Sequence, residues 1–257
     1  MKFLNRKITI GCTLLPFFLM QENPVSILKR RKMSAEKFVK IWKREIEDER
    51  EELVLFRKGW LNEIIIVFYN IEVEGDIVIS DNDDPLIDII LSNCVLDRFL
   101  FLKGKARSVA IEQNSIVNEI RIGKSSAIGN IKIITGSEIK QFEINKCTID
   151  RSIWESSTIK NLSVRGCRTD DFYVKNCEIN AICFENCNTG KLIVHNSKIN
   201  SLRIQKKAII GPIFIENSNT RDLQITSNNS TIQSFTFKNS PVESIIFNSS
   251  IIGKIQV

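Results

Sequence analysis

Apolar and small residues recur at alternating steps of two and three along most of this 257-residue chain. In the stretch VKNCEINAICFENCNTGKLIVHNSKINSLRI (174–204), the series begins Cys177, Ile179, Ile182, Phe184, Cys187. Successive side chains of a strand point to opposite faces, so a step of two keeps a residue on the same face. A step of three needs a turn of the backbone to bring the next residue back to that face. The pattern therefore predicts a strand, a corner, a strand and a corner.

Pairs of inward residues continue at intervals of ten to twelve residues to the end of the chain, and Asn or Gly precedes most corners. A fixed period without long excursions is typical of a solenoid, in which each coil buries its inward side chains only by stacking on its neighbours. Two successive ten-to-twelve-residue units would make one coil of about 20 to 22 residues, which gives about eight to nine coils. The pairs are Ile77/Ile79, Phe99/Phe101, Val109/Ile111, Ile120/Ile122, Ile131/Ile133, Phe142/Ile144, Leu162/Val164, Phe172/Val174, Ile182/Phe184, Leu192/Val194, Leu202/Ile204, Ile213/Ile215, Leu223/Ile225, Phe235/Phe237, Ile245/Phe247 and Ile255/Val257, with Trp154 keeping the register alone.

The five-residue unit with one small and one large inward residue, as in Cys177/Ile179 and Ser197/Ile199, resembles the pentapeptide-repeat family. The resemblance covers about residues 77–257 and implies a right-handed quadrilateral β-helix with four units per coil. Alternate units depart from the family pattern because both inward residues are large, as in Ile182/Phe184. We therefore expect a mainly β protein: a right-handed parallel β-solenoid of ten-to-twelve-residue half-coils with an N-terminal amphipathic capping helix.

Three segments are predicted along the chain. Residues 1–32 form an apolar and basic extension that is a signal, a membrane anchor, a stretch upstream of a start at Met33 or an ordered part of the domain. Residues 33–60 form the capping helix, with Ser34 as N-cap and a helical pattern to Phe56. Residues 61–257 form the solenoid.

The net charge of +6 lies entirely in the N-terminal segment. Residues 1–60 hold 14 Lys and Arg against 8 Asp and Glu, which leaves 22 of each kind for residues 61–257. A neutral solenoid has neither the basic face of a nucleic-acid binder nor the acidic face with which some pentapeptide-repeat proteins mimic DNA. Nucleic acid is therefore not an expected partner.

Four of the seven cysteines, Cys147, Cys167, Cys177 and Cys187, occupy the small inward position, where Ser157 and Ser197 stand in neighbouring units. Replacement by serine in register indicates packing, so we expect buried free thiols and a reducing, cytoplasmic location. Membrane association or export through residues 1–20 is the alternative location. We expect no metal site, because the cysteines lack the paired spacing of a zinc site and the single histidine, His195, falls on an outward position.

We expect no catalytic residues and no cofactor. The sequence contains no phosphate-binding loop, nucleophile elbow or histidine dyad, and the acidic segment DNDDP (81–85) lacks the ligand spacing of a calcium loop. The predicted function is a non-enzymatic scaffold that presents an extended surface to a protein partner. A membrane-tethered structural or polymer-forming solenoid is one alternative, and a carbohydrate-active β-helix enzyme is another.

The repeat stays in register to the last residue, whereas natural solenoids cover the apolar ends of their cores. The N-terminal helix is a candidate cover for one end. A second copy of the chain would cover the other end through Ile245, Phe247, Ile255 and Val257. We therefore expect a homodimer joined through the C-terminal coils.

Overall fold

A computed structural model describes residues 30–42, 54–58, 64–80, 87–123, 126–226, 229–248 and 251–256. The described chain winds into a parallel β-solenoid of about nine turns. Alternate strands belong to two sheets, so each coil contributes one strand to each sheet. The mainly β solenoid predicted from the sequence is confirmed, and its right-handed sense stays a prediction.

Sheet A holds the strands β1 (Arg31–Ser34), β4 (Ile71–Ile79), β6 (Val95–Phe101), β8 (Ile116–Gly123), β10 (Glu138–Asn145), β12 (Thr158–Arg165), β14 (Glu178–Glu185), β16 (Lys198–Gln205), β18 (Asn219–Thr226) and β20 (Val242–Asn248), in that spatial order. Sheet B holds β2 (Val54–Lys58), β3 (Ile64–Tyr69), β5 (Ile87–Ser92), β7 (Lys105–Glu112), β9 (Ala127–Ile134), β11 (Thr148–Glu155), β13 (Arg168–Lys175), β15 (Asn188–His195), β17 (Ile209–Glu216), β19 (Thr231–Lys238) and β21 (Ile251–Gln256). The solenoid pairings are parallel, and β2 pairs with β3 antiparallel.

Residues at equivalent positions stack directly on one another along the solenoid. Glu178 pairs with Lys198, 20 residues later, and Ile116 pairs with Glu138, 22 residues later. The core is a column of large apolar side chains that includes Trp154 and Phe184, both fully buried. The predicted coil length and inward positions are therefore confirmed for the described coils upstream of β20.

Each coil bends four times. One kind of bend lies between strands, where a residue such as Asn176 takes a φ of 51°, a left-handed conformation that asparagine tolerates. The other kind lies inside the strands from β6 onward: Ile179 and Ile182 are both buried although they are three residues apart, and the exposed Asn180 between them is skipped in the pairing. These bends explain the alternation of two-residue and three-residue steps.

The helix α1 (Ala35–Trp42) covers the first coil of the solenoid. Its N-terminus is capped as predicted, because the backbone amide of Lys37 donates to Ser34 Oγ at 3.2 Å. Phe38 is fully buried, and its ring stacks on Phe68 with 3.8 Å between the centroids. The helix therefore shields the apolar end of the core at this side.

The prediction of a helix continuing to Phe56 is wrong for residues 54–58. These residues form β2, which pairs antiparallel with β3. A short apolar run fits helix and strand equally well, and here strand pairing satisfies the backbone groups of β3. Arg31 and Lys32, assigned from the sequence to the extension, belong to β1 and pair with β4.

Several predictions concern residues outside the described part of the chain. They are the apolar segment of residues 1–20, the part of the predicted helix at residues 43–53, the acidic residues 81–84 and the predicted dimer residue Val257. Among the described residues, no helix has the length and apolar character needed to span a membrane.

Candidate functional site

The outward faces of the two sheets differ in chemistry at the same structural position. In the strands of sheet B, one outward residue lies between the last two inward residues. In β11, β13, β15 and β17 this residue is Ile153, Tyr173, Ile193 and Phe214, respectively. We call these four residues the apolar column. They are half-buried except for Phe214, which is 38% exposed. Strands lie about 4.8 Å apart, so the apolar column is about 14 Å long.

In the strands β10 to β18 the equivalent column of sheet A is polar, whereas Val78, Leu100 and Ile246 occupy this position nearer the two ends of the sheet. It contains Glu143, Ser163, Cys183, Arg203 and Gln224 in successive strands. One solenoid with one repeat thus provides two faces of the same geometry and opposite character. Within these strands a contiguous, partly exposed apolar surface lies on sheet B and not on sheet A, which is typical of a binding surface.

Charged residues flank the apolar column on both sides. Arg151, Asp171 and Lys191 lie two residues before it, and Glu155, Lys175 and His195 lie two residues after it, in β11, β13 and β15. All of these positions lie on the outward face, because a strand alternates its side chains. The surface therefore has an apolar centre between two charged margins.

The polar groups around Tyr173 are held in place by one another. Its hydroxyl donates to Asp171 Oδ2 at 3.1 Å, and the Arg151 guanidinium lies 6.0 Å from its ring centroid. Partial desolvation, followed by the bond to the Asp171 carboxylate, raises the pKa of Tyr173. The bond to Asp171 also fixes the orientation of the Tyr173 hydroxyl.

The opposite margin consists of ion pairs between neighbouring coils. Lys175 Nζ lies 2.8 Å from Glu155 Oε1, and His195 Nδ1 lies 3.5 Å from Glu216 Oε2. The hydrogen bond from Lys238 lowers the pKa of the Glu216 carboxyl, and His195 makes a smaller contribution in the same direction. His195 is outward, as predicted, and its neighbours form an ion-pair ladder.

The last described coil exposes residues that are buried at the equivalent positions upstream. Ile245, Phe247 and Ile255 are 45%, 42% and 48% exposed, whereas Leu223 and Ile225, one coil earlier, are fully buried. β20 and β21 are also the last described strands of their sheets, so each has a neighbouring strand on one side only among the described residues. This end of the described solenoid is a second apolar surface, separate from the apolar column.

A polar groove of about 610 Å³ runs along the corner that leads into β12, β14, β16 and β18. Its lining is mainly amide and hydroxyl groups, and the one carboxylate among the lining residues, Glu178, is paired with Lys198 at 2.8 Å. Glycoside hydrolysis generally needs a pair of carboxyl groups, one on each side of the glycosidic bond that is cleaved. The groove therefore offers hydrogen bonds without an acid–base pair.

The cysteines pack as small core residues. Cys147, Cys167, Cys177 and Cys187 are buried, as predicted, and Cys147 Sγ lies 3.6 Å from Cys167 Sγ in the next coil. Burial raises the pKa of Cys94 and of Cys187 to about 12. In the part of the chain that the structure describes, no group of three or more His, Cys, Asp or Glu side chains is arranged to hold a metal ion.

The apolar column was not identified from the sequence. Its signal appears only when every second ten-residue unit is aligned, because consecutive units belong to different sheets. The corner role of the small inward position was also missed. There, the Ser197 hydroxyl accepts the amide of Cys177 at 3.1 Å and donates to the carbonyl of His195 at 2.8 Å.

No protein-family model, curated protein or solved structure matches this chain.

Proposed function

We propose that this protein is a non-enzymatic β-solenoid scaffold that binds a protein partner through the outer face of sheet B. The apolar column carries this proposal, because the same position on sheet A is polar in the neighbouring strands β10 to β18. An apolar centre with a charged rim is the usual composition of a protein–protein interface. The neutral charge of residues 61–257 favours a protein over nucleic acid as the partner.

Two further observations favour a binding role over an enzymatic one. The residues around the apolar column are paired with one another, and the single carboxylate of the polar groove is neutralised by Lys198. Neither place brings an unpaired acid and base together, which general acid–base catalysis requires. The buried free thiols favour a reducing compartment, so we place the scaffold in the cytoplasm.

A homodimer joined through the C-terminal coils is a separate part of the proposal. A two-fold axis perpendicular to the solenoid would bring β20 and β21 against the same strands of a second copy. Because the axis reverses the strand direction, the new pairs would be antiparallel and would continue both sheets across the contact. Ile245, Phe247 and Ile255 would then be covered by the second copy.

Sedimentation of the purified protein at micromolar concentrations tests the homodimer. We expect a dimer in the wild type and loss of this contact in Ile255→Lys, which places a charge in the new core. A wild-type protein that sediments as a monomer would refute the end-to-end contact without touching the proposal for sheet B.

A comparison of tagged variants tests the scaffold function. Ile193→Glu adds one negative charge to the apolar column, and Gln224→Glu adds one to the equivalent column of sheet A. We expect Ile193→Glu to lose partner proteins that the wild type and Gln224→Glu retain from the native cell. Equal recovery by all three proteins would contradict the proposal.

A further inference from the structure

In β11 and β13 the charged margins of the apolar column are complementary to each other in register, whereas the corresponding residues of β15, Lys191 and His195, include no acidic partner. In β11, Arg151 stands before the column and Glu155 after it. In β13 the signs are reversed, with Asp171 before the column and Lys175 after it. Two residues separated by the apolar column thus carry opposite charges in two successive strands.

This pattern determines which symmetric arrangement of two copies the face can accept. Consider two identical faces related by a two-fold axis parallel to the solenoid. The residues that precede the apolar column in one copy then face the residues that follow the apolar column in the second copy. Arg151 then meets Glu155 of a second copy, and Asp171 meets Lys175, while each apolar side chain meets its own counterpart. The apolar centre and both charge pairs are satisfied together.

A two-fold axis perpendicular to the solenoid gives the opposite result. Each margin then faces the same margin of the second copy in reversed order. Centred on β13, this arrangement places Asp171 against Asp171 and Lys175 against Lys175. Centred between β13 and β15, it gains Asp171 against Lys191 but places Glu155 against Glu216. Like charges placed directly opposite each other are destabilising, so the charge pattern disfavours this arrangement.

We propose that the occupant of the sheet B face is a second copy of this chain, packed side by side with the two solenoid axes parallel. This inference rests on the proposed role of sheet B as a binding surface and names its partner. The contact is distinct from the end-to-end contact at β20 and β21. The face is four strands long and about 13 Å wide, or about 180 Å² on each copy, which is well below the ~800 Å² per partner of a stable interface, so we expect a weak dimer that dissociates at micromolar concentrations.

Sedimentation equilibrium of the full-length Ile255→Lys protein isolates the side-by-side contact, because this background removes the end-to-end one. Between about 1 and 200 µM, association is expected and is weakened at least about tenfold by Ile193→Glu. The matched variant Gln224→Glu on sheet A leaves the dissociation constant unchanged. A monomer throughout this range overturns the inference.

A charge exchange between the margins tests the register. Asp171→Lys and Lys175→Asp each weaken association about tenfold, because each two-fold contact occurs twice, and the double variant restores it. The two residues lie about 13 Å apart within one chain, beyond the Debye length of about 8 Å at physiological salt. Lys175→Asp also breaks the pair with Glu155 within the chain, and the double variant does not repair that pair. Restoration therefore reports a contact between chains, and a double variant no stronger than either single variant overturns the inference.

A covalent measurement covers the case in which a charge variant fails to fold. In the side-by-side dimer, residue 193 faces its own counterpart, so Ile193→Cys is oxidised by a mild disulfide reagent to a covalent dimer, whereas Gln224→Cys is not. Equal cross-linking at both positions overturns the inference. If Ile193→Glu loses other proteins from the native cell while the purified chain stays monomeric, the scaffold function stands and self-association is refuted.

Discussion

The backbone amide of Cys177 donates to the hydroxyl of Ser197, one coil further along the solenoid, at 3.1 Å. In the same way, the backbone amide of Ser197 donates to Ser218 Oγ at 3.0 Å, and the backbone amide of Ser218 donates to Ser240 Oγ at 3.1 Å. The small inward position thus does more than make room at the corner. Its hydroxyl satisfies a buried amide of the preceding coil.

Replacing Ser197 with alanine should leave the Cys177 amide without an acceptor. We expect a loss of about 1–3 kcal/mol in the free energy of unfolding, measured by urea denaturation. Ser157→Ala is the matched control, because the Ser157 hydroxyl donates to Glu155 O but accepts no backbone amide within the described coils. Equal losses in the two variants would contradict the role assigned to the hydroxyl.

The sequence predicts the inward positions of this protein well because one physical constraint, side-chain alternation interrupted by corners, repeats in every coil. It predicts the N-terminal region poorly. Val54–Lys58 is too short for its periodicity to separate helix from strand, and Arg31–Ser34 has no apolar alternation, although it pairs with β4. The apolar column depends on which strands become neighbours, and that information spans two units of the repeat.

Phe184 contributes to the aromatic part of the core. It is fully buried, and its ring lies edge-on to Phe172 with 5.6 Å between the centroids. Phe184→Ala should cost about 3–5 kcal/mol of unfolding free energy, because it leaves a cavity between stacked coils. The exposed Asn180→Ala in the same strand should cost less than about 0.5 kcal/mol. Similar values for both variants would mean that the inward positions have been assigned incorrectly.

Glu112 makes stability depend on pH. Burial raises the pKa of its carboxyl above the ordinary value of 4.5, and Lys132 partly opposes this shift. A raised pKa means that the folded state favours the protonated carboxyl. The contribution of Glu112 to the stability of the folded state is therefore fully present below pH 4.5 and is lost as the pH rises through the pKa of the folded state.

Glu112→Gln should therefore be more stable than the wild type at neutral pH, and the difference should disappear below pH 4.5. Thermal unfolding across this range would measure the difference, with the exposed Glu138→Gln as control. A difference that grows as the pH falls would have the wrong sign for this account.

The buried thiols should be chemically inert in the folded protein. With a pKa of about 12, Cys94 and Cys187 are thiolates in only about one molecule in 10⁴ at pH 8. We expect iodoacetamide to label Cys183, which is half-buried, faster than either residue, and urea to remove the difference. Mass spectrometry of the digested protein would give each rate, and rapid native labelling of Cys187 would argue against a purely structural thiol.

The central claim is that sheet B, and not sheet A, is the contact face of the solenoid. Photo-crosslinking in cells of the native host tests it most directly, with a photoreactive phenylalanine analogue placed either at residue 193 on sheet B or at residue 224 on sheet A. We predict a protein adduct from position 193 and none from position 224. Adducts from position 224 alone, or equal adducts from both positions, would contradict the account.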